Sequence, residues 1–489
     1  MQDLSALGDA TTFAAAAADR DTWHQVSLAG DGRPGPVCMD GSPATVLARF
    51  ASAPSGRLKV ISLGGGAVFD AFSASLLNLC GNTGFGAVAA RTLFDTPSFR
   101  ARACTFSFAA LLGGGAGNGE PAESELDSAA DSGDVAPLAS PFYLRQLADR
   151  SAHVLVFPNC SGDVGLGANP LYEQTSLDIA PLLAQPRRAP QAVRARMPAQ
   201  GAEITVTGLT QLLATLAEAN QTPTEVQVMG VSAGSIRSLF LGGLVARLLP
   251  NTPVRVLMDS GILLDHDALP RGTLRAWNRA WGLFASLDAQ VQGLSLGTLP
   301  SAMAQGASAL DIVEAFVESP KLANVRFAFL SPCVDATMRV FYALEGRVKI
   351  TIEFQESNAF SLIVALRGEG GRFTEHLRAT YAGTSIELAL SQLNLGAFVD
   401  GRDERSRAER LSAAMLGDPS VYGQSLESFR RRLRNRVHTY FVGASGPQQH
   451  GYVNKANMPN VAEEGVSLDT WTDTFLLGGE VSAHVGSCQ

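Results

Sequence analysis

Six short apolar runs punctuate the chain: "RLKVISLGGG" near Leu58, "AHVLVFPN" near Val154, "EVQVMGVS" near Val226, "VRVLMDSG" near Val254, "VRFAFLSP" near Phe327 and "HTYFVGAS" near Tyr440. Unbroken hydrophobic runs of this length suit strands buried on both faces, and stretches of helical character lie between them. The pattern predicts an α/β protein, with a mostly parallel central sheet and helices on both faces. Several of the runs close on Gly, Ser, Asp or Asn. In open sheets of this kind the ligand crevice lies beyond the carboxyl ends of the strands, so the chemistry is to be sought there.

Two regions break the pattern within what reads as one domain over residues 1–489. From Gly113 to Val135, "GGGAGNGEPAESELDSAADSGDV" is small, acidic and nearly free of large apolar residues, which predicts a mobile surface loop. From Arg347 to Leu433, "RVKITIEF" leads into helix-like segments such as "SIELALSQLNL" and "RAERLSAAML", which predicts a helical cap or insertion over the sheet. Arginines gather at Arg187–Arg196 and Phe429–Arg436; they read as a solvated loop and as a helix C-terminus, whose dipole favours cations.

Charge narrows the partners. With 38 Lys and Arg against 46 Asp and Glu, the net charge is -8, which disfavours nucleic acid and anionic membranes. No window approaches the roughly 18 uninterrupted apolar residues that span a bilayer. The first residues, "MQDLSALGDATTFAAAAADRDTW", carry acids where an export signal has basic residues, so no such signal is expected in the chain as given and the compartment stays open. Cys38, Cys80, Cys104, Cys160, Cys333 and Cys488 include no CxxC pair and stand near no His at metal spacing, so no zinc site is expected. They allow up to three disulfides in an oxidising compartment, or buried thiols in a reducing one.

The candidate chemistry starts at "GVSAG", residues 230–234, a Gly-x-Ser-x-Gly pattern between the β-rich "EVQVM" and the helix-like "SIRSLFLGGLVARLL". A serine on a tight strand-to-helix turn presents its hydroxyl as a nucleophile, and the flanking glycines keep β-carbons out of the turn. Serine needs a base to take its proton, and the oxyanion it creates needs N–H donors. Gly64–Gly66, closing the first of the six runs, and Ala233, which follows the serine, are placed to donate. Serine hydrolases on sheets of this kind order the triad Ser, acid, His. Asp335 follows the fifth run and His450 follows the sixth, matching that order downstream of Ser232. Asp259, Asp265 and Asp267 are rival acids, and His376 and His438 are rival bases.

"CMDGSP" (Cys38–Pro43), "LGGG" (Leu63–Gly66), "PNCSGDVGLG" (Pro158–Gly167), "GVSAG" and "DSGILLD" (Asp259–Asp265) follow one another in the order seen in the pectin acetylesterase and Notum family of carboxylesterases. With "GVSLDTWTDTFL" near the C-terminus, the chain resembles that family from about Trp23 to Leu476. The resemblance implies an α/β-hydrolase fold, no cofactor, the triad Ser232, Asp335 and His450, and oxyanion donors at Gly65, Gly66 and Ala233. It implies removal of an acyl group from a carbohydrate, another small molecule or an acylated protein, by proteins that are mostly secreted. Leu63, Ala67 and Val68 depart from the family's Glu before the glycines and its aromatic residue and Cys after them, which alters the pocket wall. The Asp335–His450 interval is also longer than in the family. Acyl transfer through the same triad, and acyl-ligand binding without catalysis, are the competing expectations.

Overall fold

The computed structural model describes residues 10–29, 34–39, 43–64, 116–117, 140–178, 191–196, 198–261, 281–282, 309–335, 338, 419–433, 436–443, 450–454 and 457–488, with short strands between 351 and 388. Nine strands form the central sheet. They are β1 (Trp23–Ser27), β2 (Thr45–Arg49), β3 (Arg57–Ser62), β4 (His153–Phe157), β5 (Glu225–Val231), β6 (Val254–Asp259), β7 (Val325–Pro332), β8 (Val437–Val442) and β9 (His484–Val485). Their spatial order is β1-β2-β4-β3-β5-β6-β7-β8-β9. β1–β2 and β2–β4 pair antiparallel, and the remaining pairs are parallel. The six apolar runs of the sequence are β3 to β8, side by side.

Successive residues of a strand point to opposite faces, and here both faces are apolar. Val226 and Val228 of β5 and Phe327 and Phe329 of β7 feed one core; Met229 and Val231, with Ala328 and Leu330, feed the other. The first core is covered by α3 (Gly201–Glu218) through Leu209 and Leu212, and by α4 (Ala233–Leu248) through Leu239 and Leu244. It also takes in α1 (Phe13–Ala18) and α5 (Ala309–Val317). The second is covered by α2 (Pro141–Ala148) through Phe142 and Tyr143, and by α7 (Leu468–Leu476) through Trp471 and Phe475. The molecule is a mixed α/β protein with a large, mostly parallel sheet between helical layers. Among the described residues no helix is long and apolar enough to cross a membrane.

Two expectations change. Within the stretch read as a helical cap, Thr384–Leu388 is a strand paired antiparallel with Leu377–Tyr381, in a separate four-stranded sheet. Thr384 and Ile386 are β-branched, and cross-strand pairing prevails over the helical spacing of the leucines. The end of that stretch is α6 (Pro419–Leu433), whose Tyr422, Leu426 and Phe429 lie in the first core against the main sheet. Gln191–Arg196, read as part of a loop, pairs with Glu173–Asp178 as a hairpin. Of the acidic loop, Ala116–Gly117 pairs with Ala359–Phe360; the rest of it, and "RAERLSAAML", lie outside the described residues.

At the amino end of β4, His153 is fully buried and its Nδ1 accepts the Ala51 N–H at 3.2 Å. Burial, with Arg20 and Arg49 nearby, pushes the imidazole down from 6.5 to about 4. Between these values the unfolded chain holds a proton at His153 that the folded protein does not, so stability falls as pH drops through the window. At 1.36 kcal/mol per pH unit the loss reaches about 3 kcal/mol. Denaturant unfolding from pH 7 to pH 4 should show a shallower loss in His153→Asn than in the wild type. That difference isolates His153 from other groups titrating there; parallel curves would contradict the assignment.

Candidate active site

Ser232 sits between the last residue of β5 and the first of α4, with φ 55° and ψ -125°. A positive φ in a residue with a β-carbon costs of order 1–3 kcal/mol and persists only where the surroundings impose it; such strain gathers at functional sites. The Ser232 N–H donates to Asp259 O at 2.8 Å, and Ser232 O accepts the Ser235 N–H at 2.9 Å. The flanking glycines are steric requirements. A β-carbon at Gly230 would lie 2.2 Å from Gly234 O, and one at Gly234 would lie 2.1 Å from Ser62 O. One at Gly64 would meet Val231 O at 2.9 Å and Ser232 Cβ at 3.0 Å, so Gly64, two residues past β3, packs directly on the serine. Ala233 opens α4, and its N–H is among the N-terminal donors that find no acceptor inside a helix. Gly65 and Gly66 lie outside the described residues.

Asp335, fully buried, follows β7. Its Oδ2 and Oδ1 lie 2.9 and 3.1 Å from His450 Nδ1, and Oδ1 also accepts the Met338 N–H at 2.8 Å. The carboxylate therefore selects the tautomer with the proton on Nδ1 and leaves Nε2 as the basic nitrogen. His450 Nε2 is buried and has no hydrogen-bond partner among the described residues. The Met338 N–H thus holds the carboxylate by a bond separate from the one to the imidazole.

The segment Asp259–Ser260–Gly261 joins the serine to the histidine. Gly261 runs so close to the elbow that a β-carbon there would lie 2.0 Å from Ser232 O. Ser260, with φ 52°, accepts the Gly451 N–H on its Oγ at 2.9 Å and donates to Asp259 Oδ1 at 2.8 Å. Asp259 Oδ2 accepts the Val453 N–H at 2.7 Å. Burial, the leading cause, pushes the Asp259 carboxyl up to about 6; the Val453 and Ser260 bonds and His450 oppose that rise, and Asp335 adds to it. Tyr143, buried on α2, has its hydroxyl pushed up by burial and by Asp259.

Two loops wall this end of the sheet. In Pro158–Gly167, buried Asp163 accepts Ser161 Oγ–H at 2.6 Å, the Gly165 N–H at 3.0 Å and the Gly201 N–H at 2.8 Å. Arg237 of α4 donates to Pro158 O at 2.7 Å. The Cys38–Cys160 disulfide ties this loop to the segment before β2. Cys333–Cys488 ties the Asp335 loop to the C-terminal segment; Cys80 and Cys104 lie outside the described residues.

Of the residues anticipated from sequence, Ser232, Ala233, Asp335 and His450 all stand at carboxyl strand ends, and Asp335 and His450 are in contact. His438 lies at the amino end of β8, away from this cluster, against Phe475. Asp259 is bonded to the backbone after His450 and not to its ring. Asp265, Asp267 and His376 lie outside the described residues. Sequence reasoning missed Ser260, Asp163 and Arg237; the "DSG" closing β6 was the available signal for the first. Among the described residues no three His, Cys, Asp or Glu side chains are grouped to hold a metal ion. No model of a known protein family matches the chain, and no curated protein does either.

The elbow's geometry makes two stability predictions. Gly234→Ala must displace backbone and should cost about 3 kcal/mol, at the upper end of overpacking penalties. Ser232→Gly, which removes the positive-φ penalty, should be more stable than Ser232→Ala by about 1 kcal/mol. Denaturant midpoints of the three variants check both, and a Ser232→Ala more stable than Ser232→Gly would contradict the strained turn.

Proposed function

We propose that the protein is a serine carboxylesterase of α/β-hydrolase type, similar to the pectin acetylesterase and Notum carboxylesterases. The observation that carries the reading is the buried Asp335–His450 pair, with Nε2 unengaged, at the same carboxyl end of the sheet as a serine at φ 55° on a strand-to-helix turn. An acid–base pair of this kind is what activates a serine hydroxyl. Gly64, which packs on Ser232, follows β3, after which hydrolases of this type place their second oxyanion donor.

His450 Nε2 takes the proton of Ser232 as Oγ attacks the ester carbonyl carbon. The carbonyl oxygen becomes the oxyanion, received by the N–H of Ala233 and by those of Gly65 and Gly66. Asp335 stabilises the imidazolium, which then protonates the departing alcohol. Water, deprotonated by His450, attacks the acyl-enzyme, releases the carboxylic acid and restores Ser232. An acetylated carbohydrate is the first substrate class; an acylated lipid or protein is the second.

Turnover of p-nitrophenyl esters of increasing chain length tests both levels. Wild type should release p-nitrophenol with acetate as substrate, and Ser232→Ala should lose roughly 10³-fold or more in kcat while remaining folded. No turnover of any ester by a folded wild type would sink the esterase reading. A preference for C8 or longer chains above about tenfold, about 1.4 kcal/mol in the transition state, would exclude the acetyl-carbohydrate class.

A further inference from the structure

Asp259 and Ser260 are buried polar groups that the triad mechanism does not use. Three of their bonds run to the backbone on either side of the proposed chemistry: Asp259 O to the Ser232 N–H, Ser260 Oγ to the Gly451 N–H, and Asp259 Oδ2 to the Val453 N–H. The Ser260 hydroxyl gives its own proton to Asp259 Oδ1, which fixes the direction of the chain: Gly451 N–H to Ser260 Oγ–H to Asp259. Ser260 holds its positive φ because its N–H is engaged by Leu330 O at 2.9 Å on the neighbouring strand. On the far side, Ser140, the N-cap of α2, donates its hydroxyl proton to Val453 O. The 451–453 backbone is therefore gripped from two elements.

We infer that Asp259 and Ser260 are positioning residues: a carboxylate–hydroxyl clamp that sets the His450 loop against the Ser232 elbow. The inference rests on the serine-esterase reading above for its catalytic meaning. Neither residue touches the imidazole through a hydrogen bond. They act through Gly451 and Val453, the first and third residues after His450, and through the backbone of Ser232. A displacement of the order of 1 Å of a base from its nucleophile can cost 10²-fold in rate, so a clamp on both partners is worth more to catalysis than to stability. The charged groups that face this junction among the described residues are Asp335 beyond β7, His450 itself and Asp259 at the end of β6. Tyr143 of α2 faces Asp259 as a neutral phenol.

Three variants test the clamp. Ser260→Ala and Ser260→Gly both remove the hydroxyl, but glycine relieves the positive φ, so Ser260→Gly separates positioning from folding. Asp259→Asn keeps the shape and replaces one acceptor with a donor that opposes either Val453 N–H or Ser260 Oγ–H. For all three, kcat on p-nitrophenyl acetate should fall roughly 10- to 100-fold with KM within about twofold, and Ser260→Gly should melt no lower than Ser260→Ala.

A second readout does not depend on turnover. In protein with ¹³C-labelled histidine rings, the His450 resonance, assigned through His450→Gln, should shift at constant pH in both Asp259→Asn and Ser260→Gly, reporting a moved ring. Full kcat in Ser260→Gly and Asp259→Asn, with the His450 resonance unmoved, would overturn the clamp and leave the esterase reading intact. An inactive wild type whose His450 resonance still moves with both substitutions would overturn the esterase reading while the clamp stands.

Discussion

Parallel pairing of β5 with β6, Val231 opposite Asp259, is the constraint from which the geometry of the site follows. The ladder does not stop at the strand ends. It continues into the turn as the bond from Ser232 N–H to Asp259 O, so the strained serine is held by the same register that builds the sheet. Both faces of the sheet are buried, so a slip of one residue would reverse every side chain on β5. The cost of the elbow is met by the packing of two cores, and no local contact alone would hold φ at 55°.

The same logic extends sideways. β7 carries Asp335 past its end, and the Cys333–Cys488 disulfide anchors the loop two residues before the carboxylate. On the other side of β3, Cys38–Cys160 anchors the loop that Asp163 and Arg237 fasten to α3 and α4. Each disulfide closes a long loop, 122 and 155 residues, the regime in which a crosslink removes most entropy from the unfolded chain. Both crosslinks fall at the end of the sheet where the candidate chemistry lies, where loops must be rigid and secondary structure offers least support.

Much of this was legible in the residues. Val-, Leu- and Phe-rich runs disclosed β3 to β8, because strands buried on both faces tolerate little else. Gly230 and Gly234 marked the elbow, because their missing β-carbons are what let β5 turn into α4. Asp335 and His450 were legible as positions, each just beyond an apolar run, though only the fold shows their carboxylate and imidazole in contact. What sequence left open was long-range. Thr384–Leu388 opens a stretch that reads as helix-like and is a strand because Leu377–Tyr381 pairs with it. The pairing of Cys38 with Cys160 and of Cys333 with Cys488 follows from strand order, which spacing does not encode. Asp259 read as a rival acid because a carboxylate at a strand end suits either role; its bonds to Val453 N–H and Ser260 are tertiary facts.

The most direct test of the central claim, that Ser232 is a nucleophile held between an oxyanion site and His450, is a crystal structure of the protein after reaction with a fluorophosphonate. The account predicts phosphorus bonded to Ser232 Oγ. The phosphonyl oxygen should lie about 3 Å from the N–H of Ala233 and from the glycine turn after β3, the spacing expected of an oxyanion donor. His450 Nε2 should stand within hydrogen-bond reach of the Ser232 oxygen. A protein that forms no adduct, or an adduct on another residue, would contradict it.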